Sequence, residues 1–373
     1  MKLSIVATLD RSSASMVEFY ARAMAASVAM RTRSRWAACR FGSAVDAPRR
    51  ALASDGGIAR VRQMGLGFPI VDALVREHKY RPLAGNVVLI GRQTVYFSPA
   101  EVLALLNEHG VDVHGATERD IEIDRSTLNR FSEFRTDSDL IIDRALFRLL
   151  GVPRVMALDH SGYEGAEIIH DLTKPIPPEL RNTADLIVDG STLDNVFDPA
   201  TVIRNFAEML RPGGRLLTAN MYSNHHVPYV MLPPLWFLDY FVANGFADCK
   251  VYILVSTTPY NAFTIDMDAL LDPARSVSAF VSPHEMGTLV LAEKAGHSTA
   301  HIKPTQQHYR SADDWARYRN VLERMKANSR PHVARSKGEI LFFDVRGGHL
   351  FMDRNFVAMD PLTEILRSHP EYR

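Results

Sequence analysis

Between residues 86 and 293 the chain repeats one device. A short, unbroken apolar run stops at an aspartate, a glycine or an asparagine, and a stretch of helical periodicity follows. The runs are Asn86–Ile90, Arg154–Leu158, Glu167–His170, Ala184–Val188, Arg215–Ala219, Cys249–Val255 and Gly287–Glu293. Strands that are apolar along their whole length are covered on both faces, and parallel neighbours need crossover helices. The pattern therefore predicts an α/β protein with a doubly wound, mostly parallel seven-stranded sheet. Helices are expected over Ile70–His78, from Ser98 to Gly110, and over Asp139–Leu150, Pro199–Leu210, Pro234–Asn244 and Ala312–Lys326. The second carries its own start signal: Ser98 as N-cap, Pro99 at the first helical position and Glu101 at the third. A hairpin is expected over Glu339–Val345 and His349–Met352.

Composition narrows the function. Lys+Arg and Asp+Glu both number 43, so there is no global positive field for nucleic acid or an anionic membrane. Two cysteines far apart, Cys39 and Cys249, argue against a disulfide framework and suit the cytoplasm. No metal site is expected, because no ligand set has suitable spacing. The apolar stretch Val227–Ala247 is broken by Pro233, Pro234 and Asp239 and reads as a core helix, not a membrane span. Trp236, Phe237, Tyr240 and Phe241 on it read as packing. Residues 31–60 hold seven arginines against two acids and read as a solvated linker. The expected division is an N-terminal segment and linker (1–56), a central domain (57–300) and a C-terminal helix–hairpin extension (301–373).

In a doubly wound sheet, ligands bind outside the carboxyl ends of the strands, where the strand order reverses. The residues that end the strands are thus the candidates: Gly91-Arg92-Gln93-Thr94, Asp159-His160-Ser161, Asp171-Leu172, Asp189-Gly190-Ser191 and Asn220-Met221-Tyr222. Three of the five begin with aspartate. An ionised carboxylate accepts only, which suits ribose hydroxyls and an adenine amino group. Any one of them alone also suits a turn or a helix cap.

The segment Ala184-Asp185-Leu186-Ile187-Val188-Asp189-Gly190-Ser191-Thr192-Leu193-Asp194-Asn195-Val196-Phe197 resembles the fourth-strand motif FDLVIDGGTLEHV of class I S-adenosylmethionine-dependent methyltransferases. Met209-Leu210-Arg211-Pro212-Gly213-Gly214-Arg215-Leu216-Leu217 is similar to the LKPGGRLL of their fifth strand. The resemblance spans residues 85–295. It implies a Rossmann-like methyltransferase fold, S-adenosylmethionine as cofactor, and a small-molecule or saccharide acceptor. It also implies a cofactor site of Gly91, Arg92, Asp159 on the ribose, Asp171 near the adenine, and Asp189. Tyr222-Ser223-Asn224-His225-His226 follows the fifth strand, where such folds build the acceptor pocket. His225 or His226 is the candidate base for an in-line methyl transfer, the plainer reading being a loop pair bonded to backbone.

Two departures stand out. The family's first motif, D/E-x-G-x-G-x-G, keeps one glycine here, Gly91, and Arg92 and Gln93 bring side chains into the turn. The gap from Gly91 to Asp159 is longer than one crossover helix needs, and the polar stretch 112–136 within it is a candidate lid or plug. These departures support an alternative: a non-catalytic binding or assembly protein that keeps the fold. Residues 3–20 also resemble the opening strand and helix of family-2 glycosyltransferases, without that family's metal-binding segment. A glycosyltransferase-related chain is the weaker alternative, and a chance strand–helix pair the plainest.

Overall fold

The computed structural model describes residues 65–125, 139–223, 228–255, 261–265, 286–328, 341–343, 350–351 and 356–358. The expectations for residues 1–56, including the arginine-rich linker and the glycosyltransferase-like opening, lie outside them. So do His225 and His226 and residues 126–136 of the polar stretch.

In chain order the strands are β1 (Val87–Ile90), β2 (Val155–Asp159), β3 (Ile168–Ile169), β4 (Ala184–Gly190), β5 (Leu210–Ser223), β6 (Asp248–Val255), β7 (Asn261–Ile265), β8 (Met286–Glu293), β9 (Leu341–Phe343), β10 (Leu350–Phe351) and β11 (Phe356–Ala358). The helices are α1 (Phe68–Tyr80), α2 (Pro99–Glu108), α3 (Asp143–Leu149), α4 (Pro199–Met209), α5 (Pro234–Ala243) and α6 (Ala312–Asn328). The main sheet runs β11-β7-β6-β8-β5-β4-β1-β2-β3. Its five-strand half, β3-β2-β1-β4-β5, is parallel throughout, and β8 lies antiparallel between β5 and β6. All seven expected strands are present in one doubly wound, mostly parallel sheet. Two antiparallel strands, β7 and β11, extend its far edge.

Strand pleating explains why unbroken apolar runs were needed, since alternate residues feed opposite faces. Val87 and Leu89 of β1 join a core with Phe68 and Leu74 of α1, Leu105 and Leu106 of α2, and Leu146 and Phe147 of α3. Val88 and Ile90 join a second core with Phe206 of α4, Phe237 and Phe241 of α5, and Leu322 and Met325 of α6. Phe237, Tyr240 and Phe241 are buried, as their helical spacing predicts.

Local signals hold at α2. Ser98 Oγ accepts from Glu101 N (3.3 Å), Glu101 Oε2 accepts from Ser98 N (2.6 Å), and Pro99 follows the cap. The start of α3 is later than periodicity suggests. Ile141 instead pairs with Ile123, and its N–H donates to Phe97 O at 2.9 Å. The start of β5 is earlier, at Leu210, because the Arg-Pro-Gly-Gly turn is drawn into the sheet. Gly213 takes φ 77° there and donates to Lys294 O at 2.7 Å. A Cβ on Gly214 would lie 2.7 Å from Ala184 O and 2.8 Å from Arg211 O, so β4 and the turn pass too closely for a side chain.

The long gap after β1 holds α2, a 3-10 turn at Glu118–Asp120 and α3, with α2 and α3 packed into one core. Ile121 of this stretch is buried in the same core. Among the described residues no helix is long and apolar enough to cross a membrane.

Candidate functional site

Strand order reverses between β1 and β4: from β1 the chain steps outward to β2 and β3, then returns to β1's other side with β4 and β5. The crevice above the carboxyl ends of these two strands is the expected ligand position. Ile90 and Asp189 are register partners at its floor.

On the β1–β2 side, Gly91 turns the chain with φ 71° and donates its N–H to Leu158 O at 2.7 Å. A Cβ there would make ordinary contact with Asp159 Oδ2 at 3.5 Å, so it is the left-handed backbone that calls for glycine. Asp159 Oδ1 accepts from Ser161 N (3.0 Å) and faces His160 Nδ1 (2.9 Å). Its side chain is 25% exposed, and among the described residues no donor takes Oδ2. Glu164, in the loop after β2, stands near Asp159 and Asp124. Partial burial, then the Asp159 charge, pushes its carboxyl above the usual range.

The β1–β4 side is closed. Gln93 is 5% exposed; its Nε2 donates to Ile90 O at 2.5 Å, and its side chain lies against Gly190, where an added Cβ would overlap its amide. Thr192 Oγ1 also donates to Ile90 O, at 3.2 Å. Above them runs the segment before α1, with Gly65 N donating to Gly190 O (3.2 Å) and Leu66 N to Thr94 O (2.8 Å). Gln93 and Val95 occupy the places of the second and third glycines of the Gly-rich motif, and Val95 is fully buried in a bridge with Leu66.

The remaining candidates divide. Arg92 points to α3, forming a buried ion pair with Asp143 at 2.6 Å. Asp143 also accepts from Gln93 N at 3.1 Å; burial pushes its carboxyl up, and Arg92 opposes the shift. Asp171 is a turn former on the surface: Oδ1 accepts from Thr173 N (2.9 Å) and Thr173 Oγ1 (2.7 Å), which hold its carboxyl below the usual range. Asp189 is sealed, correcting the picture of three strand-end carboxylates facing one ligand. Its Oδ1 accepts from Thr192 N (2.8 Å) and Oδ2 from Thr218 Oγ1 (2.7 Å), and complete burial raises its pKa. It knits β4 to β5 rather than presenting an oxygen to a ligand.

Sequence reading missed Asp194. Burial pushes its carboxyl up to about 7, although it accepts from Met221 N (2.6 Å) and from Ser191 Oγ (2.9 and 3.0 Å). Asn220 completes the network, donating to Thr218 Oγ1 (2.6 Å) and accepting from Asp194 N (3.2 Å). The available signal was Thr218 and Asn220, polar residues that interrupt the apolar stretch from Leu216 to Met221. Among the described residues no three metal-binding side chains gather.

Neither a family model nor a curated protein sequence matches the chain. Solved structures do resemble it. The citrinin polyketide synthase CMeT domain is 13% identical, with 58% of this chain and 48% of that one covered and a TM-score of 0.29. The trans-methyltransferase CalH, in complex with SAH, is 13% identical over 60% of this chain and 55% of that one, TM-score 0.30. A Burkholderia thailandensis 1,6-didemethyltoxoflavin-N1-methyltransferase is 13% identical over 79% of this chain and 93% of that one, TM-score 0.26. The chain thus spans about half the length of the first two. The glycosyltransferase-like opening finds no support among these comparisons. The likenesses are loose, and the assignment of a Rossmann-like, methyltransferase-type fold rests on the order and direction of the strands themselves.

Proposed function

We propose that the chain is an S-adenosylmethionine-dependent methyltransferase acting on a small molecule or saccharide. The observation that carries this reading is Asp159 Oδ2, which no donor takes among the described residues, beside the left-handed turn at Gly91, at the point where strand order reverses. An acceptor-only oxygen at that place suits a ribose hydroxyl. Two residues suit the adenosine half of the cofactor, Asp159 for the ribose and Gly91 at the turn; Asp171 is the further candidate for the adenine side, its Oδ1 already engaged by Thr173. When bound, the cofactor would supply a methyl group on a positively charged sulfur. The chain's own part is to align an acceptor atom and take its proton, and His225 or His226 is the candidate base. Arg92 and Asp189 drop out as ligand contacts, since both are engaged inside the protein.

Calorimetric titration with S-adenosylhomocysteine tests the reading. Wild type should give binding heat, and Asp159→Ala should weaken it about tenfold or more, the loss of a charged hydrogen bond of about 1.5 kcal/mol. Absence of heat from the folded wild-type protein would reject it.

A second reading is favoured by Gln93 and Val95 at the lost glycines: a binding or assembly protein that keeps the fold without methyl transfer. That protein would give no heat with the homocysteine ligand.

A further inference from the structure

We infer that Gln93 selects ligands by length: it leaves the Asp159 side of the crevice open to a nucleoside and makes an amino-acid tail on that nucleoside displace its amide. The inference rests on the adenosine reading of Asp159 given above and names what the rest of the same crevice does.

The crevice has two halves, and the chain treats them differently. The β1–β2 half has a glycine at φ 71° and a partly exposed carboxylate with an uncommitted oxygen. The β1–β4 half is occupied by a side chain. Gln93 reaches back over the turn that it belongs to, and its amide nitrogen is tied to Ile90 O at 2.5 Å. Its Cδ would lie 3.2 Å from a Cβ on Gly190, so the amide rests on bare β4 backbone. A Cβ on Gly190 would meet both this amide and the Gly65 backbone, at 3.3 Å from Gly65 C. The Gly65–Gly190 and Leu66–Thr94 hydrogen bonds hold backbone across the same half.

Whatever extends from the 5′ end of a nucleoside seated at Asp159 towards β4 meets this amide. Its departure breaks the hydrogen bond to Ile90 O and a longer one to Gly91 O at 3.5 Å, and Thr192 Oγ1 remains on Ile90 O as a partial substitute at 3.2 Å. Such a bond is worth about 1 kcal/mol, so the barrier to a long ligand is modest and removable by substitution. Side-chain rotation moves the amide itself, while the backbone of Gly65 and Leu66 stays across the same half.

The experiment compares two ligands on three folded proteins by calorimetric titration. The ligands are 5′-methylthioadenosine, which lacks the amino-acid tail, and S-adenosylhomocysteine, which carries it. The proteins are wild type, Gln93→Gly and Gln93→Ala, the alanine variant serving should the glycine variant not fold. Both substitutions should tighten S-adenosylhomocysteine about fivefold while leaving methylthioadenosine within about twofold. Both ligands binding, with their affinity ratio the same in all three proteins, would overturn the role of Gln93 and leave the adenosine site standing. Neither ligand binding any of the three would overturn the site itself, and the inference with it.

Discussion

At Ser191 and Asp194 two ordinary residues are held in costly states. Ser191 has φ 80° although it carries a side chain, at a place where the fourth-strand motif has glycine. Left-handed backbone costs a non-glycine residue roughly 1–2 kcal/mol. Its hydroxyl offsets that by donating to Asp194, which is sealed from solvent. Asp194 in turn has its pKa raised from 3.8 to about 7 by burial. The folded state therefore keeps a proton that the unfolded chain releases. Stability from this group is complete below pH 3.8 and is lost as pH rises towards 7, at up to about 1.4 kcal/mol per pH unit. Asp194→Asn, which cannot ionise, should flatten the dependence. Urea unfolding at pH 5 and pH 7.5 checks this: wild type should lose more stability across the interval than the variant. Equal losses would mean that Asp194 does not titrate there.

At the scale of the element, α3 is fastened to the β1 turn through its first residue. Asp143 binds the guanidinium of Arg92 and the backbone N–H of Gln93, with only 1% of its side chain exposed. Removing one member of a buried pair strands the other, at a cost of about 3 kcal/mol or more. Asp143→Ala should therefore lower the urea midpoint markedly, and Arg92→Met less, since the stranded Asp143 carboxyl can take up a proton and keeps the Gln93 N–H, whereas a stranded guanidinium cannot lose its charge. The same pair shows why α3 starts late. Helical periodicity counts residues 139–142 as helix, whereas Ile141 is pulled into pairing with Ile123 and Phe97 before the helix begins. No pattern within eleven residues of sequence contains those partners. The α2 cap was legible because Ser98, Pro99 and Glu101 satisfy one another locally.

Across the whole molecule, the segment after β8 is packed onto the main sheet's second core rather than hanging from it. Arg310 forms a 2.6 Å ion pair with Asp239 of α5, and its guanidinium stacks 3.9 Å from the Tyr318 ring centroid and 4.9 Å from that of Trp315. Tyr318 donates its hydroxyl to the other oxygen of Asp239 at 2.7 Å. Asn244 accepts from Ile302 N (3.1 Å) and donates to Ile302 O (2.9 Å). Arg310 is thus the rivet between α5 and α6. Arg310→Ala should speed amide hydrogen exchange in α6 by about tenfold or more, about 1.4 kcal/mol of local stability, with β1 and β4 unchanged. A uniform change over the sheet would show that the contact serves global stability instead.

Sequence alone determined the alternation of strands and helices, the two-faced burial of the sheet and the end of it at which a ligand is expected. Each of those follows from periodicity and from local stop signals that a single segment carries. Which of the strand-end carboxylates is open was decided only by tertiary structure. Asp159 and Asp189 occupy equivalent places in the pattern, yet one keeps an oxygen uncommitted and the other is consumed by Thr192 and Thr218. The filling of the crevice by Gln93 was decided in the same way. A side chain two residues beyond a glycine turn can point to solvent or back over the strand. The direction depends on a bare Gly190 nearly a hundred positions away, which only the folded sheet brings beneath it.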